Sequence, residues 1–326
     1  MVATESETAS VQIAPAHRIL VIRLGALGDL ALCAPAFQAI RDAHPRAEIA
    51  LLTQPAWADF TEAMPWFDHI FTDARPRAGQ IGSWWDLVRR LRRFNMDRVY
   101  DLQGKFRQDI LFWLLGGPWS GIDWSGATKF CRFPRIWPPL PSWHFADFIA
   151  AQLRVANVIV PDYADWSWFD APVDDFALPE KFVLFIPGCA PTRAEKRWPA
   201  AAYAEVARHY LAQDIQIVML GTRDDGAALS AIKTMAPRVI DLGGRTSLAQ
   251  IGGIARRAMA VLGNDTGPTH LAAAVGAPTL TLFADTVNPA WSRPRGVRTA
   301  YLQGKPLADL AVERVLQSLA QWIPPR

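Results

Sequence analysis

The chain is predicted to be an α/β protein made of two successive halves, each a parallel sheet with covering helices. Three observations predict it. Short β-rich runs alternate with amphipathic stretches of helical period, glycines stand at the ends of several of those runs, and the alternation dissolves near residue 117 only to restart at Lys181. With 326 residues, 51% of them apolar, the chain is about twice a typical domain length and can bury a sizeable core in each half.

The elements follow in order. The stretch 1–15, "MVATESETASVQIAP", is polar and acidic, with neither a positive start nor an apolar run, and reads as a disordered tail rather than a signal peptide. "RILVIR" is the first strand, broken at Gly25 and followed by the helix "LALCAPAFQAIRDA". "AEIALLT" and "HIFT" are strands, "WWDLVRRLRRF" is a helix with one apolar face, and "DRVYDL" is the next strand. After "DLQGKFRQDILFWLLGG" comes "PWSGIDWSGATKFCRFPRIWPPLPSW", which is rich in Pro, Gly and Trp and reads as a long functional loop. The helix "HFADFIAAQLRVANV" ends a first domain at 16–165, and residues 166–180 form a linker. From 181 to 306 the alternation runs through "KFVLFIPG", "IQIVMLG", "MAVLGND" and "PTLTLFAD", and 307–326 carries a closing helix, "LADLAVERVLQSLAQW".

Several chemistries are excluded. Cys33, Cys131 and Cys189 are odd in number and unpaired by spacing, so neither a disulfide framework nor a zinc site is indicated, and a reducing cytoplasm fits best. No apolar run approaches the roughly 18 residues of a membrane span. The glycines spell neither the NAD fingerprint nor a Walker loop, no GxSxG elbow occurs, and the six histidines lack metal-ligand spacing. No DxD triplet is present to hold a divalent cation on a nucleotide-sugar, so no metal and no cofactor are expected.

Three strand ends in the second half carry chemistry, and the carboxyl ends of parallel strands share one crevice. In "GNDTGPTHL", Asp265, Thr266 and Gly267 stand where a strand hands over to a helix, so backbone N–H groups and the helix dipole can hold a diphosphate, with Thr266 and His270 as further donors. The alternative is a plain N-cap. In "GTRDDG", Asp224 and Asp225 are placed to accept hydrogen bonds from ribose hydroxyls, or else to cap a helix. Lys196, in "KRWP", can neutralise a departing phosphate, or be a solvated charge. In the first half, Asp29 follows the "GALG" turn at a helix start. A carboxylate there would repel a diphosphate, so this strand end faces a hydroxyl. Between Arg75 and Arg135 twelve Lys/Arg stand against five Asp/Glu, which points to an anionic partner or to a solvated face.

Taken together, "RILVIRLGALGDLALCAPAFQAIRDAHP", "DLQGKFR", "TRAEKRWP" and "LGNDTGPTHLAAAVGAPTLTLF", in that order, make the chain similar to family 9 of the glycosyltransferases, the ADP-heptose:lipopolysaccharide heptosyltransferases. The resemblance implies a GT-B fold, two Rossmann-like domains facing across a cleft, with acceptor on the first and sugar nucleotide on the second. It implies inverting, metal-independent transfer from ADP-heptose to an anionic lipopolysaccharide core, at the cytoplasmic face of a membrane, with no nucleic acid involved. Asp29 matches the family's general base. Lys196 matches the phosphate-contacting lysine of "KxWP", and Asp265, Thr266, Gly267 and His270 match "DTGxxH".

Donor binding is further assigned to Thr192 and to Asp225 or its neighbour Asp224, and two departures stand out: Pro191 replaces a threonine, and Asp225 is shorter than the family's glutamate. Acceptor binding is assigned to Arg23 and Gln103 and, from the basic stretch, to Lys105, Arg107, Lys129, Arg132 and Arg135, whose charges can meet the anionic sugars and phosphates of such a core. Trp119, Trp124 and Trp137 either stack on sugars, meet the membrane interface or pack a small core. The rival readings are a GT-B transferase with another nucleotide-sugar or acceptor, and a non-catalytic nucleotide-binding module.

Overall fold

The protein is described by a computed structural model covering residues 15–77, 79–136 and 142–323. The expected disordered tail, but for its last residue, and Trp137 lie outside the described residues.

In the first half, β1 (Arg18–Ile22) leads into α1 (Leu27–Ala43), β2 (Glu48–Thr53), the short α2 (Ala58–Glu62), β3 (His69–Thr72) and α3 (Ile81–Phe94). Then come β4 (Arg98–Asp101), α4 (Phe106–Leu114), β5 (Asp123–Ser125) and α5 (Phe145–Val155). The five strands are all parallel, in the order β3-β2-β1-β4-β5. β1, β2 and β4 are buried along almost their whole length, because helices cover both faces of the sheet. α3 illustrates the local logic: Leu87, Val88, Leu91 and Phe94 form its buried stripe, Arg92 and Arg93 oppose the dipole in its last turn, and Asn95 ends it in the left-handed region at φ 54°.

The second half repeats the plan with β6 (Phe182–Ile186), α6 (Ala200–Leu211), β7 (Gln216–Met219), α7 (Gly226–Met235), β8 (Ile240–Asp241), α8 (Leu248–Arg257) and β9 (Ala260–Asn264). α9 (Gly267–Ala274), β10 (Thr279–Ala284), α10 (Pro289–Ser292), β11 (Thr299–Gly304) and α11 (Val312–Leu319) complete it. Its six parallel strands run β11-β10-β9-β6-β7-β8. Read from its own first strand, this order is that of the first sheet with one strand added. In both sheets the order reverses beside the first strand, between β1 and β4 and between β6 and β9. Such switch points open the crevices in which parallel sheets bind ligands.

Two expectations need correction. β5 lies inside the stretch expected to be a loop: three residues, Asp-Trp-Ser, are too few to show a period, and pairing with β4 fixes them as an edge strand. β11 was also not anticipated, since "TAYLQG" carries a polar residue and a glycine and is only half-buried at the sheet edge. The closing helix α11 is amphipathic as expected and buries Val315 and Leu319 in the core of the second half.

The halves meet along α1 and α9. An added Cβ at Gly28 would sit 2.9 Å from the His270 ring, and one at Gly267 would sit 2.7 Å from Leu27 Cβ. Both glycines serve close approach of the two helix starts. Residues after β10 strap the second half onto α5: Trp291 packs on Phe145 and Phe148, and Arg295 pairs with Asp147. His144 caps α5 by accepting at Nδ1 from the Ala146 amide, so its Nε2 donates to the Arg293 carbonyl at 2.7 Å. Burial pushes its pKa down to about 4, which keeps that neutral pairing near neutral pH.

Candidate active site

The four motif-bearing loops stand at the two switch points. In the first half, "RLGALGD" leaves β1 and "LQGK" leaves β4, and the two are tied together. The Leu24 amide donates to Gln103 Oε1 at 2.9 Å, and Gln54 Nε2 reaches the Leu24 and Gly25 carbonyls from β2's end. Asp101, at the end of β4, accepts from the Gln103 and Gly104 amides and so shapes that turn, while burial pushes its carboxyl up to about 7 against those bonds.

Asp29 is the third residue of α1, and its side chain is 45% exposed. Its Oδ2 accepts from the Ala26 amide at 3.4 Å and pairs with Arg23 at 2.8 Å; no hydrogen bond among the described residues reaches Oδ1. Arg23 was expected on the acceptor. Instead it is buried beneath Asp29, donates to the Leu102 carbonyl at 2.8 Å and lies 4.5 Å from the Phe145 ring centre. Its chemistry here is to hold the carboxylate in one orientation.

In the second half, Asn264 pins the ends of β9 and β6 together. Its Nδ2 donates to the Pro187 carbonyl at 2.7 Å, and its Oδ1 accepts from Tyr203 and from the Trp198 amide. The next residue, Asp265, is buried between two nitrogen groups: Lys196 Nζ at 2.6 Å on Oδ2 and His270 Nε2 at 3.5 Å on Oδ1. Burial raises its pKa, but the bonds from His270 and Lys196 outweigh it and hold the carboxyl below the ordinary range. Asp265 thus contacts both Lys196 and His270. Thr266 is the N-cap residue of α9, yet its side chain makes no cap bond, so a hydroxyl and the free N–H groups of that helix start remain for a ligand.

A cavity of about 760 Å³ lies between the halves. Asp29 and Gly28 wall it from the first half; Lys196, Asp265 to Gly267 and His270 wall it from the second. A second cavity, of about 420 Å³, belongs wholly to the first half and is lined by Asp29, Gln54, Gln103, Lys105 and Arg107 among others. The two share Ala26 and Asp29. One carboxylate thus stands at the junction of a helix-start anion site and a polar, cationic pocket.

Several other expected residues line neither cavity. Thr192 is exposed and lines neither cavity. Asp225 is buried, its Oδ2 accepting from the Thr222 amide and hydroxyl at 2.9 and 2.8 Å; the helix-cap alternative describes it, while Asp224 is left exposed. Of the five cations expected on the acceptor between Lys105 and Arg135, only Lys105 and Arg107 reach the smaller cavity, and Arg107 is already held by both carboxylate oxygens of buried Asp73. Arg135 is spent on Asp109 and the Gly126 carbonyl. Arg132 pairs with Asp123, at the amino end of β5 and so away from the carboxyl-end crevice, and Lys129 stands over the Phe130 ring. Trp124 is fully buried core, whereas Trp119 is 83% exposed.

Sequence reasoning missed Arg193, Asn288 and Trp291 in the larger cavity, and Arg75 and Trp57 in the smaller. Arg193 adjoins Thr192 in a quoted motif; the others lie in segments with no glycine signature. Among the described residues no group of three or more His, Cys, Asp or Glu is placed to hold a metal ion.

The family model for glycosyltransferase family 9 (heptosyltransferase) matches residues 84–306. The chain belongs to glycosyltransferase family 9. It is accordingly a glycosyltransferase. Among its family relatives, lipopolysaccharide heptosyltransferase 2 of Escherichia coli K12 is 26% identical over 343 residues, an alignment covering 95% of this chain and 96% of that protein. Lipopolysaccharide heptosyltransferase 1 of Pseudomonas aeruginosa is 25% identical over 302 residues, covering 87% of this chain and 83% of the other. The solved structure of E. coli ADP-heptose LPS heptosyltransferase II superposes with a TM-score of 0.73 at 22% identity, over 94% of this chain and 98% of that one, and shares the GT-B fold. The family match thus confirms the expected family and fold, and the site lies where the two sheets' crevices face each other.

Proposed function

We propose that this family 9 enzyme transfers a heptose from ADP-heptose to an anionic lipopolysaccharide core, with inversion and without a metal. The observation that carries the reading is Asp29, shared by both cavities. The larger cavity receives the donor: its diphosphate meets Lys196, the Thr266 hydroxyl and the N–H groups at the start of α9. The smaller receives the acceptor, beside Gln103, Lys105 and Arg107. On this reading residues 16–165 are the acceptor domain, 166–180 the linker and 181–306 the nucleotide-sugar domain. The names of the relatives support the donor and the acceptor.

In the reaction, Asp29 takes the proton of the acceptor hydroxyl as its oxygen attacks the sugar's anomeric carbon. The bond from that carbon to the diphosphate oxygen breaks on the opposite side, and ADP leaves with both electrons of the bond. Lys196 and the helix start offset the charge that develops on the diphosphate, an interaction that strengthens as the bond breaks and so lowers the barrier. Arg23 keeps Asp29 aimed through the step. Such an enzyme works at a membrane's inner surface, where its acceptor is made; no helix among the described residues is long and apolar enough to cross a membrane.

The reading is tested by incubating the protein with ADP-heptose and a panel of truncated core acceptors, then reading products by mass spectrometry. An acceptor gaining one heptose in the presence of chelator is the expected result. Turnover of a different nucleotide-sugar with no reaction of ADP-heptose would assign the site to another donor.

A further inference from the structure

We propose that the outer faces of α3 and α4, with Trp119 and Phe130, form a docking surface for an anionic lipid bilayer. The inference rests on the reading of the acceptor as a membrane-borne glycan. On α3, Ile81, Trp85 and Arg89 recur at a spacing of four residues, all exposed, in a row that flanks the buried stripe. On α4, Phe106, Ile110 and Trp113 share one face, with Phe106 77% exposed. The two helices lie side by side: they feed one core, and Arg92 of α3 donates to the Leu114 carbonyl of α4 at 2.8 Å.

Beyond α4 the surface continues. Trp113 lies 6.1 Å from Trp119 and 5.6 Å from Phe130 between ring centres, and Lys129 Nζ stands 5.1 Å from the Phe130 ring. Large rings left in water and interleaved with cations are what an interfacial surface needs, since Trp and Phe enter the headgroup region while Lys and Arg meet anionic headgroups. Charge is supplied on the same helix as Trp85, where Arg90, Arg92 and Arg93 are also exposed. The exposed acid nearest the α3 face, Asp86, is already paired with Arg89 at 3.1 Å.

Continuity with the site favours a bilayer over a protein partner. Lys105 lines the smaller cavity and immediately precedes Phe106, so the surface starts at the cavity mouth and α4 carries it about 10 Å outward to Trp113. A glycan can then enter toward Asp29 while its lipid stays in the membrane.

The test uses the full chain and vesicles of phosphatidylglycerol with phosphatidylcholine, compared with phosphatidylcholine alone. Co-sedimentation is expected with the anionic vesicles only, and to fall with added salt. The double variant Trp119→Ser/Phe130→Ser should lose at least about tenfold in vesicle partitioning, with unchanged thermal stability and unchanged transfer to a soluble, delipidated acceptor. Absence of wild-type binding to anionic vesicles, equal binding by wild type and variant, or loss of self-association as the variant's one effect would overturn the docking surface. Vesicle binding that follows the patch while no donor turns over would support the surface and defeat the heptosyl-transfer reading alone.

Discussion

Asp29→Asn is expected to lower heptosyl transfer by about 10²- to 10⁴-fold, the range a positioned general base contributes, while ADP binding stays within about twofold of wild type. Asparagine keeps the size of the side chain and an oxygen that can accept from Arg23, but it cannot take a proton. The change therefore separates base chemistry from packing. Donor binding is spared because the contacts proposed for the diphosphate, Lys196 and the α9 start, belong to the other half. Turnover is read as ADP release with acceptor present, and ADP binding as a thermal shift, since a ligand that binds only the folded protein stabilises it by mass action. Wild-type turnover in the variant would remove Asp29 from the mechanism.

Lys196→Ala should behave differently, damaging both binding and rate. Loss of a charge-assisted hydrogen bond to phosphate costs about 1.5–3 kcal/mol, or roughly tenfold or more in ADP affinity. Loss of leaving-group stabilisation should take a further factor of about 10²–10³ from kcat. The substitution also strips the buried Asp265 of the Lys196 ammonium, at 2.6 Å, and leaves its carboxylate with the His270 ring nitrogen, at 3.5 Å, beside the proposed diphosphate site. A companion Lys196→Ala/Asp265→Asn variant should recover part of the ADP affinity by removing that repulsion. Unchanged kinetics in the single variant would return Lys196 to being a solvated charge. Isothermal titration with ADP and steady-state kinetics on the same preparations decide between these outcomes.

Most of the architecture was legible because parallel sheets write themselves into sequence. Strands buried on both faces read as apolar runs, and glycine-bearing ends mark where each run must turn. The site core was legible for the same reason: Asp29, Lys196 and Asp265 to His270 all sit at strand ends beside a switch point, and their motifs are local. What escaped was what local patterns do not carry. β5 is too short to show a period, and β11 is an edge strand with half-buried polar residues.

The basic stretch illustrates a second limit. A sequence counts charges without their partners, and Arg107, Arg132 and Arg135 are each committed to an aspartate. Arg23 shows the same limit: nothing in its neighbourhood shows that the chain folds Asp29 back onto it. Asp225 reads as a ribose ligand and also as a cap, and the structure uses it as a cap. Gly28, which resembles a remnant of a phosphate loop, is explained instead by the His270 ring that approaches it across the cleft.

In the proposed reaction, acceptor and diphosphate approach the sugar from opposite sides, through two cavities that meet at Asp29. The anomeric configuration of the product, read by NMR after transfer from ADP-heptose to a soluble core acceptor, tests this arrangement. A linkage of configuration opposite to that of the donor is expected. Retention of the donor's configuration would contradict it, because a single displacement across this cleft cannot produce it.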